Sequence, residues 1–249
     1  MIIIKNNKEI DLMRSAGKIV AETLLLIEEK VRPGITTAEL DSIAEEFITK
    51  HGARPSFKGL YGFPASLCIS VNEQVVHGIP GGYVLKDGDI VSVDCGANIN
   101  GFHGDAARTF GVGNITKEAE KLINVTRESF FRGIEYAKVG NRLTDISHEI
   151  QNCVEAAGFS VVRDFVGHGI GRVVHEDPDI PNYGPPGRGP KLVEGMALAI
   201  EPMVNAGSYK VKTLSNDWTV VTSDGSLSAH YENTIVILPD GPEILTLIR

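Results

Sequence analysis

The chain has 249 residues, of which 42% are hydrophobic and 22% charged, and a formal net charge of −8 at pH 7. This is the make-up of an ordinary globular chain forming one large domain or two small ones, and the lack of a basic block argues against a nucleic-acid or anionic-membrane partner. Its three cysteines, Cys68, Cys95 and Cys153, form no CxxC pair, and residues 2–4 are too short an apolar run for a signal peptide or membrane span, so a cytoplasmic setting is expected.

Residues 7–31 read as a helix, with Ile10, Met13, Val20, Leu24 and Ile27 on one stripe and Pro33-Gly34 as its stop. A second helix opens at Thr36, with Glu39 completing a capping box, buries Leu40, Ile43, Ala44, Phe47 and Ile48, and stops at Gly52. Strands are expected over Leu67–Val71 and 90–95, followed by a return strand to about Val112.

The return is set by Asn100-Gly101, the signature of a two-residue type I′ turn. Pairs across such a hairpin sum to 201, so Gly96 faces Asp105 and Asp94 faces Ala107. Opposed residues share a face, which makes Asp94 and Asp105 diagonal neighbours on one face. Two carboxylates in a largely apolar strand pair repel and desolvate unless a cation neutralises them. Metal is the first hypothesis for this hairpin, and a solvent-exposed turn is the alternative.

The pattern then repeats. Thr116 opens a helix that buries Leu122, Ile123, Phe130 and Ile134 and breaks at Gly140. A shorter one carries Ile146, Ile150, Cys153, Val154 and Ala157 and stops at Gly158. His77-Gly78-Ile79 is echoed by His168-Gly169-Ile170, and Leu85-Lys86-Asp87-Gly88 by Leu192-Val193-Glu194-Gly195. Asp94 stands six residues beyond Gly88, and Glu201 six beyond Gly195; Asp105 and Glu232 then follow, each across a hairpin. The expectation is a single domain over 1–249 made of two helix–helix–strand–hairpin halves, about 8–112 and 116–238. Routine helix-stop glycines and turns are the alternative account of the echoes.

Two such halves around a shared axis would bring four carboxylates together. Glu201 ends the apolar run from Met196 to Ile200, where an unpartnered Glu is rarely tolerated. His168 is flanked by glycines that expose its imidazole; no GKS/T follows, which excludes a P-loop. His175 and His77 are further candidates, whereas His51, His103, His148 and His230 read as structural. Four carboxylates and an imidazole suit Mn, Co, Fe or catalytic Zn, and two divalent ions would balance their charge around a bridging hydroxide.

This ordered set, with VDCGANINGFHGDAART, VGHGIG, AIEPM and AHYENTIVI, resembles the type I methionine aminopeptidases of bacteria from about Lys8 to Leu245. Further matches are VRPGITTAELD, the HGIP at 77–80 and NDWTVVTSDGSLSAH. The resemblance implies an α/β pita-bread fold with pseudo-twofold halves around antiparallel sheets. It implies removal of initiator Met from nascent chains by hydroxide activated on two metal ions, with Co, Mn, Fe(II), Zn or Ni as possible metals. Asp94, Asp105, His168, Glu201 and Glu232 would be the ligands. Asp94 would be bidentate on one ion, Asp105 and Glu232 would bridge, and His168 and Glu201 would complete the other, with Glu201 also the general base. His175 would stabilise the tetrahedral intermediate, and His77 would contact the scissile amide or leaving group.

The implied methionine pocket is Phe57, Leu60, Phe63, Cys68 and Trp218, whose soft and aromatic walls suit a thioether. A monovalent cation near Asn72 and Ser228 is a further implication. Arg32, Leu60, Ala106 and Asn233 depart from residues that many or some relatives carry, without removing a ligand. The 33-residue interval from His168 to Glu201 and the absence of a zinc-binding extension favour the bacterial type I pattern. Expected partners are nascent N-termini and, transiently, the ribosome, which Lys210 and Lys212 could approach; neither membrane nor specific nucleic acid is expected, and the chain should be a monomer. The competing readings are an Xaa-Pro peptidase of the same fold, against which the missing large N-terminal domain argues, and a non-catalytic pita-bread binding module, which the complete ligand set disfavours.

Overall fold

The computed structural model describes residues 1–247, two short of the expected 1–249 span. Helix α1 (Asn7–Lys30) starts where Asn6 and Glu9 exchange capping hydrogen bonds, and α2 (Thr37–Lys50) where Thr36 and Glu39 do the same. The chain continues through β1 (Arg54–Pro55), β2 (Leu67–Val71), β3 (Gln74–Val76), β4 (Ile90–Ile99) and β5 (Phe102–Gly111). Helices α3 (Lys117–Ile134) and α4 (Leu143–Ala156) follow. Then come β6 (Ser160–Val161), β7 (Gly167–Gly169), β8 (Glu176–Ile180), β9 (Ala197–Ile200), β10 (Met203–Asn205), β11 (Val211–Thr213), β12 (Val220–Thr222), β13 (Ser228–His230), β14 (Asn233–Leu238) and β15 (Gly241–Ile244).

Two antiparallel sheets carry the architecture. In one, β4 is central, with β5 on one side and β2 and β1 on the other; in the second the order is β15-β14-β9-β7-β8. Val91, Val93, Cys95 and Ala97 alternate onto the face that packs with Leu24, Ile27, Leu40 and Ile48 of α1 and α2. Leu198, Ile200, Ile235 and Ile237 do the same against Phe130, Ile146 and Ile150 of α3 and α4. The intervening strand positions point away from these helices, and the carboxylates lie among them.

Three details depart from the sequence reading. The third helix ends at Ile134, and a turn carries the chain on to Gly140. The second carboxylate pair is not joined by a tight hairpin: β9 and β14 pair directly, but the segment between them makes β10, β11, β12 and β13. Finally, the His77/His168 echo is not an equivalence of place. Ser70 pairs with Ser92, two residues before Asp94, and His168 pairs with Ala199, two before Glu201. His168 thus occupies the position of Ser70. Seven residues beyond Ser70 and His168 stand His77 and His175, so by register it is His175, not His168, that matches the place of His77.

Candidate active site

The central hairpin has the register that its turn dictates. Gly96 pairs with Asp105 and Asp94 with Ala107. Asn100 and Gly101 take positive φ, 55° and 79°, as a type I′ turn requires. In the other sheet, Asn233 pairs with Ile200, and Glu232 and Glu201 stand just past that last pair. The first pair of carboxylates is therefore diagonal, and the second sits at the end of the β9–β14 ladder.

A seam of hydrogen bonds joins the two sheets at this point. Ala107 N–H donates to Glu232 O at 3.3 Å, and Glu232 N–H donates to Ala107 O at 3.0 Å. The Arg108 guanidinium donates to the carbonyls of Ala107 and Glu232 and to Asn233 Oδ1, which pins the start of β14 to β5. Asp105 and Glu232 are thereby held side by side, 3% and 2% exposed.

Two sets of donors, Asp105 with His168 and Glu232, and Asp94 with His230 and Glu232, each have their ligand atoms within 4.8 Å of one another. His168 Nε2 lies 3.5 Å from Glu201 Oε1. His168 Nδ1 is 2.9 Å from Gly169 O, which places the proton on Nδ1 and leaves the Nε2 lone pair free to ligate. Burial lowers the His168 pKa to about 4, keeping the ring neutral at pH 7. Burial pushes Asp94 up to about 7, although a hydrogen bond with Asp105 opposes the rise. Asp105, Glu201 and Glu232 are also raised well above the ordinary range, by burial first and then by their neighbours' charge.

Asp94 Oδ1, Asp105 Oδ1 and Glu232 Oε1 are buried without a hydrogen-bond partner among the described residues. Such oxygens are costly to leave unpaired, and hard divalent cations are their natural complement. The residues present thus fit a metal centre.

Above the carboxylates lies a cavity of about 480 Å³, lined by all five expected ligands, by His77 and His175, and by all five residues of the expected methionine pocket, but not by Asn72 or Ser228. Phe57, Phe63 and Cys68 pack together with Leu60 and Trp218 into its apolar wall, Phe63 meeting Trp218 edge-on at 5.1 Å. Cys68 enters because it pairs with Asp94 across β2 and β4. The His77 ring packs edge-on against Phe165 at 5.5 Å, and burial lowers its pKa to about 4. His175 stands edge-on to His168 at 4.5 Å and is stacked by Tyr61 at 5.9 Å.

Of the four histidines read as structural, His51, His103 and His148 bond to Phe47 O, Ser56 Oγ and Gly184 O. His230 does not fit that reading. Its Nε2 faces the Oε2 atoms of Glu201 and Glu232, 3.8 Å from each. The available signal was strand alternation: position 230 shares a face with position 232. Phe165 and Tyr61 also line the cavity and were missed, since neither carries a motif.

The pattern of metallopeptidase family M24 matches residues 11–239. The chain is 78% identical to a methionine aminopeptidase of Clostridium perfringens over the full length of both proteins. Its structure is similar to that of the methionine aminopeptidase of Thermotoga maritima, with a TM-score of 0.98, 49% identity and complete coverage of both chains. The methionine aminopeptidase of Rickettsia prowazekii gives the same TM-score at 46% identity, with 99% and 100% coverage. The α/β fold with antiparallel sheets is the pita-bread arrangement of these enzymes.

Proposed function

From the premise that this chain belongs to metallopeptidase family M24, among its bacterial methionine aminopeptidases, we propose that its cavity removes initiator Met from newly made protein N-termini. The observation that carries this reading is the juxtaposition of the unpaired carboxylates with an apolar pocket. A side chain lodged between Phe57, Phe63, Cys68 and Trp218 would bring its own α-amino and carbonyl groups over Asp94, Asp105 and Glu232. The polarisable walls suit a thioether, and Leu60 packs against them.

In the proposed mechanism Asp94, Asp105, His168, Glu201 and Glu232 hold two divalent ions, drawn from Mn, Fe(II), Co, Zn or Ni. When bound, such ions act as Lewis acids toward a peptide carbonyl and lower the pKa of water. Glu201, at the end of β9, takes the proton from the attacking water and returns it to the departing amine. Its carboxylate oxygens lie 3.5 and 3.8 Å from the ring nitrogens of His168 and His230. His175 and His77, kept neutral by desolvation, act as hydrogen-bond donors rather than competing cations. His175 serves the developing oxyanion, and His77 serves the scissile amide or leaving group. Each stands seven residues beyond matching strand positions, Ser70 and His168, which supports the proposal that the domain is built from two related halves.

A monovalent cation is proposed near Asn72 and Ser228, whose main chains meet in the 2.9 Å bond from Ser228 N–H to Asn72 O. Action on nascent chains supports a cytoplasmic monomer with transient ribosome contact, in which the exposed Lys210 and Lys212 would take part. No helix among the described residues is long and apolar enough to cross a membrane. The test is a peptide panel with added metal. Release of Met from Met-Gly-Met-Met, with Leu-Gly peptides spared and Met-Leu slow, supports the reading. Preference for cleaving Xaa-Pro bonds, or silence on every peptide, opposes it.

A further inference from the structure

We propose that His230 is a sixth protein donor to the metal centre, supplying an imidazole to the ion held by Asp94 and Glu232. This rests on the metalloenzyme reading above and extends it to a residue outside the five expected ligands.

His230 is 2% exposed, and its Nε2 has no hydrogen-bond partner among the described residues. It shares that condition with Asp94 Oδ1, Asp105 Oδ1 and Glu232 Oε1. Among the described residues, the other buried side-chain atoms left unpaired are one hydroxyl and two amide atoms, on Ser147, Asn182 and Asn233, and several such atoms converge on one point only at the carboxylate cluster.

The distances favour ligation over hydrogen bonding. Nε2 lies 3.8 Å from Glu201 Oε2 and 3.8 Å from Glu232 Oε2. An N–H···O bond needs roughly 2.7–3.2 Å. Two donors that each sit about 2.1 Å from one cation are instead separated by roughly 3–4 Å. His168 stands in the same relation to Glu201, at 3.5 Å.

The composition of the cluster repeats the point. Asp105 with His168 and Asp94 with His230 form two equivalent pairs of one carboxylate and one imidazole, and Glu232 is common to both. The His230 backbone is fixed to β5: its N–H donates to Thr109 Oγ1 at 2.8 Å, and its carbonyl accepts from the same hydroxyl at 2.9 Å. The ring is therefore presented to Asp94 by a rigid strand.

The test counts ligated imidazoles. In the Co(II)-loaded protein, each ligating histidine gives an exchangeable ring N–H proton signal shifted far outside the normal NMR range. Wild type is expected to show two such signals and His230→Gln one. Calorimetric titration of the apo protein with Mn(II) is expected to show one ion weakened more than about tenfold in His230→Gln, with the other nearly unchanged. A single shifted imidazole in wild type would overturn the proposal without recourse to any variant, as would unchanged binding of both ions by His230→Gln. No shifted imidazole at any Co(II) level would overturn the metal reading as well.

Discussion

One hydroxyl holds a proposed metal-binding carboxylate in register: Thr234 Oγ1 accepts the Asp105 amide hydrogen at 3.0 Å and donates back to the Asp105 carbonyl at 2.9 Å. Thr234 is fully buried. Thr234→Val keeps the shape and removes both bonds. The expected cost is about 1–3 kcal/mol, seen as a Tm lowered by roughly 2–4 °C per kcal/mol. Metal affinity should fall in parallel, because Asp105 and Glu232 lose their common anchor. Unchanged Tm and affinity would show that the seam is held elsewhere.

Gly96 pairs with Asp105 and lies against Phe57 of the proposed methionine pocket. A Cβ there would meet Ser56 Cβ at 2.8 Å and Phe57 Cε1 at 2.9 Å. Gly96→Ala must therefore push the Phe57 ring into the pocket or open the strand. Overpacking of this kind costs about 1–3 kcal/mol. Steady-state kinetics on Met peptides should show KM rising more than kcat falls, since the pocket is distorted and the carboxylates remain. An unaltered KM would mean that Phe57 does not bound the substrate side chain.

Without ions, the carboxylate cluster works against the fold. Asp94 has an ordinary pKa of 3.8 and is raised to about 7 by burial, and Asp105, Glu201 and Glu232 are raised too. A carboxyl raised on folding binds more protons in the native state than in the unfolded chain. Its contribution is present in full below about pH 4 and is lost as pH rises through about 7. Thermal melts in chelator should therefore show falling Tm from about pH 5 to about pH 8. Melts with Mn(II) should show the reverse trend, because ion binding needs the deprotonated groups. In Asp105→Asn the apo slope should flatten, and the apo protein should gain stability. Equal slopes with and without metal would refute this account.

The sequence carried the fold where local chemistry is decisive. The Thr36 and Thr116 starts, the Asn100-Gly101 turn and the register it imposes all depend on neighbours in the chain. The carboxylates were legible because charge at the end of an apolar strand demands a partner. Other features depended on tertiary pairing. His230 sits only two residues from Glu232, but its value depends on the approach of Glu201 from another strand. The excursion between β9 and β14 hid their direct pairing, and it takes the registers of β2 on β4 and β7 on β9 to set His175, not His168, at the place of His77. Tyr61 reaches His175 from a 3-10 turn with positive φ, which no periodicity reveals.

The central claim is that this cluster releases Met through bound divalent ions. It is tested most directly by measuring Met release from Met-Gly-Met-Met as apo protein is titrated with Mn(II), in wild type and in Asp105→Ala. The account predicts no release without metal, a rate that grows with added ion and then saturates, and a loss of at least about a hundredfold in the variant. Release that persists in chelator, or an Asp105→Ala enzyme as active as wild type, would contradict it.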